Sequence, residues 1–260
     1  MPRTTFLYHA EAVGVSGHIS LPVVDTVPLQ ASVAAPIGPG SGKARVENFR
    51  HLDYLRIQSI ESHVVSSYSE KDEAYGTLSS VAIEGLNNLN VVTCDGMVNR
   101  LTSKHKKDES EQGSYILHGT HFDRLRIAGH DIKIDLAVGL LSELSTWKKL
   151  NEGYENDPEI RRELDALILH PRKDCGRKLP LHHGVLGITL ATIPDLPRGL
   201  QRKDHGIYVP HFGTIYIAEY FISATTRRLR MLHVDLGCSV EGCNGYGDTS
   251  GGGSPIPGSA

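Results

Sequence analysis

What this chain lacks narrows its chemistry before anything it contains. No apolar run approaches the ~20 residues of a membrane-spanning helix, and no block of like charge stands out beyond residues 104–107. Its 27 basic and 30 acidic residues leave a formal net charge of −3, so the electrostatic footprint of a nucleic-acid binder is missing. Neither membrane insertion nor a nucleic-acid partner is expected. The opening "MPRTTFLYHAEAVGVSGHISLP" mixes apolar residues with His, Glu and Ser, without the continuous apolar centre of an export signal, and reads as part of the fold. Cysteine is scarce: Cys94, Cys175, Cys238 and Cys243 are the only four in 260 residues. A chain this long does not need disulfide staples to hold a core. Cys238 and Cys243 flank the Gly-containing "CSVEGC" turn, and fit either a disulfide or half of a metal site.

Catalytic fingerprints are missing as well. There is no G-x-S-x-G elbow and no G-x-G-x-x-G loop. The stretch "IGPGSGKA" imitates a phosphate loop but puts Ile37 where the first Gly belongs and Ala44 where a magnesium-binding hydroxyl belongs; it reads as a turn. Fourteen histidines are many, and three imidazoles suffice for a zinc or iron centre. The closest pairs are His118 with His121, His182 with His183, and His205 with His211, none with the helical H-E-x-x-H spacing. In an extended strand His118 and His121 point to opposite faces. These six are the metal candidates the sequence offers; no catalytic residue and no cofactor is assigned.

What is present is β periodicity. From Phe6 to Asp135, runs rich in Val, Ile, Leu, Tyr and Thr alternate with Gly, Asn, Asp and Ser, the pattern of short strands and turns. Leu125 and Ile127, then Ile132, Ile134 and Leu136, mark one buried face in two phases, with a turn or bulge at Gly129, His130 and Asp131. Similarly, Ile215 and Ile217 are followed by Tyr220 and Ile222, a phase break near Ala218 that signals a bent strand. Aligning Val46, Glu47, Phe49 and Leu52 with Ile83, Glu84, Leu86 and Leu89 gives an internal repeat of strand-turn-strand units. Cys94 falls in the apolar strand that follows the second unit, a place for a small core side chain rather than a nucleophile.

Helical spacing takes over near Leu140. Leu144, Trp147 and Leu150 share one face, and "DPEIRRELDALILHP" opens with Asp157 as an N-cap and Pro158 at the first helical position. The layout expected is a mainly β protein: a sandwich or barrel-like body of repeated units over 1–139, a one- or two-helix insert with an exposed connection over 140–180, completing strands over 181–244, and a linker-like Gly/Ser/Pro tail over 245–260.

The order of pieces around Val91 to Asp95 with Val98, then Phe122, Leu125, Ile127, Gly129 and Ile132, resembles that in bacterial surface-type β proteins of the choice-of-anchor P kind. The resemblance implies an extracellular structural or adhesive role and supplies no catalytic residues. The expectation is a non-enzymatic β subunit that associates with itself into a filament, sheath or surface layer, placed outside the cell or, alternatively, in the cytoplasm. A metal-dependent enzyme or metal-binding module using clustered His is the alternative, and a carbohydrate- or ligand-binding β domain a third. The core reading of Cys94 is tested by Cys94→Ala: about 1 kcal/mol of stability lost in denaturant unfolding, with function intact.

Overall fold

The computed structural model describes residues 5–22, 24–107, 113–169, 178–237 and 240–256. Six long strands come first: β1 (Thr5–Leu21), β2 (Asp25–Ala34), β3 (Gly40–His51), β4 (Leu55–Ser69), β5 (Ala74–Asn88) and β6 (Val92–Lys106). Short strands β7 (Ser114–Ile116), β8 (His121–Ile127), β9 (His130–Asp131) and β10 (Asp135–Leu136) lead into helices α1 (Val138–Glu143), α2 (Trp147–Asn156) and α3 (Pro158–Asp165). The chain then returns to strands with β11 (Leu186–Thr189), β12 (Ala191–Thr192), β13 (Gln201–Lys203), β14 (Gly206–Val209), β15 (Gly213–Ile222), β16 (Thr226–Leu236) and β17 (Glu241–Ile256). The fold is mainly β with a small helical insert.

Two antiparallel sheets face each other. The first runs β13-β14-β15-β16-β17-β1-β2, with β11 on β15; the second runs β3-β4-β5-β6-β8-β9, with β7 on β6. β1 and β17 lie over β4, β5 and β6, and the inner faces bury Ala12, Val15 and Tyr246 against Ile60, Ile83, Met97 and Leu101 in one continuous core. The arrangement is a β-sandwich. Its halves are not sequential, because the first sheet takes strands from both ends of the chain. Polar ties cross the gap. The Asn99 amide donates to the carbonyls of Leu229 and Gly247 at 2.8 and 2.7 Å, Asn88 donates to the Tyr246 hydroxyl at 2.7 Å, and Ser79 donates to the Ser250 carbonyl at 2.6 Å. Each tie answers a buried polar group whose desolvation would otherwise go uncompensated.

Along a flat strand, buried side chains recur every second residue. Here the step lengthens to three once in each of many strands: Ala12 to Val15, Ile57 to Ile60, Ile83 to Leu86, Cys94 to Met97, Leu229 to Leu232 and Tyr246 to Thr249 are all buried pairs. The steps line up across strands. Asn48, Gly85 and Arg124, with φ of 52°, 63° and 47°, stand at one level on β3, β5 and β8, and the ladder skips the intervening pairs without changing register. Ala31, Gly247 and Ala218, with φ of 47°, 62° and 53°, do the same on β2, β17 and β15. A left-handed residue in every second strand bends the sheet and lets the apolar phase shift in all strands together. The phase break expected near Ala218 is one of these steps, and the turn at Gly129 joins β8 to β9.

The insert forms three short helices where one or two were expected, because the spacing through Leu144, Trp147 and Leu150 is interrupted. Leu144 ends α1, and Thr146 starts α2 by accepting the Lys149 amide at 3.2 Å. Asp157 caps α3 as read from the sequence, accepting the amides of Glu159 and Ile160 at 2.8 and 3.2 Å, with Pro158 behind it. The insert is tied to the sheet through Arg227, which is buried and stacks over Tyr115 at 4.5 Å and Trp147 at 5.9 Å.

The tail reading needs the largest correction. Through Ile256 the stretch is β17, an inner strand hydrogen-bonded to β16 on one side and β1 on the other, from Thr5 opposite Ile256 to His18 opposite Cys243. Its small residues suit the space. A Cβ on Gly253 would lie 2.4 Å from the Phe6 ring, so the ring can sit directly over the backbone only because glycine is there. Residues 257–260 lie outside the described residues.

Two outcomes follow from this packing. Deleting residues 250–260 strips the β17 partners from β1 and β16 and removes the Ser79 tie; melting should fall by roughly 10 °C or the protein should fail to express in soluble form. The second concerns His105, which is buried, with no hydrogen-bond partner for its Nε2 among the described residues, and held neutral, its pKa lowered to about 4 by burial and then by Arg227. The unfolded imidazole takes up its proton near pH 6.5, so this contribution is whole above that pH and is lost as pH falls towards 4, up to about 3 kcal/mol. In urea unfolding at several pH values, His105→Gln should flatten the slope between pH 6.5 and 4.

Candidate functional site

The phase step has a second effect on the outer face of the first sheet, where it brings charged side chains into one patch. Three cross-strand rows build it. Glu219, Arg230 and Asp248 face one another on β15, β16 and β17; Tyr216, His233 and Gly245 form the next row; Thr214, Asp235, Cys243 and His18 form the third, reaching β1. Glu219 follows the left-handed Ala218 and Asp248 follows the left-handed Gly247, so the step aims both carboxylates at Arg230.

The ion pairs run continuously through the patch. Arg228 donates to both oxygens of Asp248, through Nε at 2.9 and 3.0 Å and through Nη2 to Oδ2, and this fork holds its guanidinium pKa above the ordinary value. Arg230 stands 3.6 Å from Asp248 and 3.7 Å from Glu219. Glu219 Oε2 lies 3.1 Å from His233 Nδ1, and His233 Nε2 lies 2.9 Å from Asp235 Oδ1. The side chains of Glu219, Asp248 and His233 are only 11%, 15% and 20% exposed, which lifts these contacts above ordinary surface pairs. Tyr216 closes the side of the patch, its ring 5.4 Å from that of His233. Its phenol is pushed up by burial and by the carboxylates of Asp235, Asp204 and Glu219.

One group in the patch has the makings of a metal centre. A donor atom each from His233, Asp235 and Cys243 lies within 4.8 Å of the other two, the only such group of three among the described residues. Behind it, the Glu219 carboxylate can accept the Nδ1 proton and leave the Nε2 lone pair facing Asp235. This is the carboxylate–histidine arrangement that orients metal ligands. Gly245, beside His233 in the same row, adds no side chain there. One sulfur, one imidazole and one carboxylate suit a borderline-soft ion of the zinc type.

The six histidines picked from the sequence are not gathered into such a group among the described residues. His118 lies in the turn before β8, and His121 contacts Gly119 and Asp123. His182 pairs through its backbone with Val185, and His183 is in the following turn with φ of 50°. His205 sits in the β13–β14 turn and His211, with φ of 62°, in the β14–β15 turn. Proximity in sequence selected residues in turns, whereas the cluster draws on neighbouring strands. The signal available was the H-x-D pair of His233 and Asp235, whose side chains share one strand face. Of the proposed disulfide partners, Cys243 has a free thiol, and Cys238 lies outside the described residues. Cys94 is a core residue: its thiol donates to the Gly96 carbonyl at 2.9 Å, and burial pushes its pKa up to about 12, the state of an inert thiol.

The chain is thus a two-sheet antiparallel β-sandwich with a helical insert. Residues 6–179 match the family described as Domain of unknown function (DUF8256), and the chain belongs to that family. No curated protein and no solved structure matches it. The matched span ends before β11, so it takes in His18 while His233, Asp235 and Cys243 lie beyond it.

Proposed function

We propose that this protein is a metal-binding β-sandwich module whose site is formed by His233, Asp235 and Cys243. The observation that carries the reading is the convergence of these three donors within 4.8 Å, with Glu219 backing the imidazole. Zinc is the ion that best suits the mixed sulfur, nitrogen and oxygen set. Binding would displace the thiol proton and couple affinity to pH. For the alternative of a self-associating subunit, the Gly/Ser-rich segment offers no free strand through Ile256, because it is paired on both edges within its own sheet. An extracellular or surface placement rests on the resemblance to surface β proteins alone.

The test is zinc binding by the full chain under reducing conditions, read by equilibrium dialysis with elemental analysis. Wild type should hold one ion per chain. Cys243→Ser and His233→Ala should each lose stoichiometric binding, and Glu219→Gln should weaken it by about 10- to 100-fold, the usual effect of removing a ligand's orienting partner. Well under one ion per wild-type chain, or undiminished binding by the Cys243 and His233 variants, would reject the assignment.

A further inference from the structure

The three donors leave a fourth corner, and the sheet register fills it from the N-terminal strand. His18 is the direct cross-strand partner of Cys243 on β1, as Asp235 is on β16, so the three side chains project from one row on the same outer face. His18 Nδ1 lies 3.6 Å from Cys243 Sγ. For a tetrahedral ion with a metal–sulfur bond of about 2.3 Å and a metal–nitrogen bond of about 2.05 Å, the nitrogen–sulfur edge is about 3.6 Å. That one edge has the length that shared coordination requires; His18 does not lie within 4.8 Å of the His233 and Asp235 donors as well, so its exposed imidazole must turn towards them to close the site. On the other side, His233 Nε2 and Asp235 Oδ1 are 2.9 Å apart, against about 3.4 Å for the nitrogen–oxygen edge of the same tetrahedron. Asp235 is 48% exposed and free to swing outward by that half ångström.

We infer that His18 is the fourth ligand of the site, so that His18, Cys243, Asp235 and His233 close a tetrahedral centre that straps strands β1, β17 and β16 together. This inference rests on the metal-binding reading and adds two things to it. Four protein donors leave no open position for a bound water, so the centre is structural and not hydrolytic. The strap also sits where the β1 ladder weakens: the pairing with β17 shifts register between Ile19 and Leu21, one residue past His18. An ion held there fixes the end of β1, which the hydrogen-bond ladder holds least regularly.

Cobalt(II), which takes zinc sites and reports their geometry in its visible spectrum, separates the two levels of the argument. Titrated into the reduced full chain, it should give a thiolate-to-cobalt charge-transfer band in the near ultraviolet, and intense visible bands of a four-coordinate centre, both saturating at one equivalent. His18→Ala should keep the charge-transfer band, lose most of the visible intensity as solvent raises the coordination number, and bind at least about 10-fold more weakly. His18→Cys should restore the four-coordinate intensity and roughly double the charge-transfer band. Because His18 is exposed, the metal-free variants should melt with wild type, and zinc should raise the melting temperature of wild type more than that of His18→Ala. If His18→Ala reproduces the wild-type spectrum and affinity, His18 is not a ligand and the strap is refuted while the three-donor site stands. If wild type shows no thiolate band at all, the metal-binding reading fails and this inference falls with it.

Discussion

The architecture depends on one constraint: in the long strands of each sheet the apolar phase must shift by one residue at the same level. A single strand that made the step alone would turn its remaining side chains outward and break register with both neighbours. Because Gly85 on β5 stands opposite Asp95 on β6, and Gly247 on β17 opposite Met231 on β16, the extra residue appears on both sides of each pair and the register survives. The left-handed positions fall on alternate strands, partly on non-glycine residues such as Asn48, Ala218 and Arg124. That strain is tolerated because packing on both sides of the seam fixes it.

The same seam explains what was legible in the sequence. Many strands were visible as apolar alternation, and β15 as two short runs in different phase, Ile215 and Ile217 against Tyr220 and Ile222, so the bend near Ala218 could be read directly. Asp157 and Pro158 announced a helix start through capping chemistry that is local. β17 was not readable, because its glycines satisfy demands made by distant residues. Gly253 makes room for Phe6, and Asn244 and Tyr246 are buried by a sheet that begins at Gly40. Composition alone makes such a stretch a linker, and only tertiary pairing makes it a strand.

The candidate ligand cluster was hidden for a related reason. Sequence proximity favours histidines in one turn, but a β-sheet brings donors together by register, across neighbouring strands at about 4.8 Å spacing and along one face of a strand. His18 and Cys243 are cross-strand partners from opposite ends of the chain. Their meeting depends on the order β16-β17-β1, which no local pattern encodes. The charged patch around Glu219 and Asp248 depends equally on the seam, since the residue after each left-handed position is the one turned towards Arg230.

The placement of β17 between β16 and β1 also governs how the chain reaches this state. β1 is made early and finds its β17 partner only after the second sheet, the helical insert and β11 to β16 have been made. Until then, β1 presents an unpaired edge along residues that the finished sandwich buries, including Ala10, Ala12 and Val15. Contacts of such long sequence separation slow folding, because loop closure precedes the energetic return. An open apolar edge during that interval is the surface on which wrong intermolecular pairing starts. Synthesis therefore carries a period of vulnerability that lasts until β17 has been made.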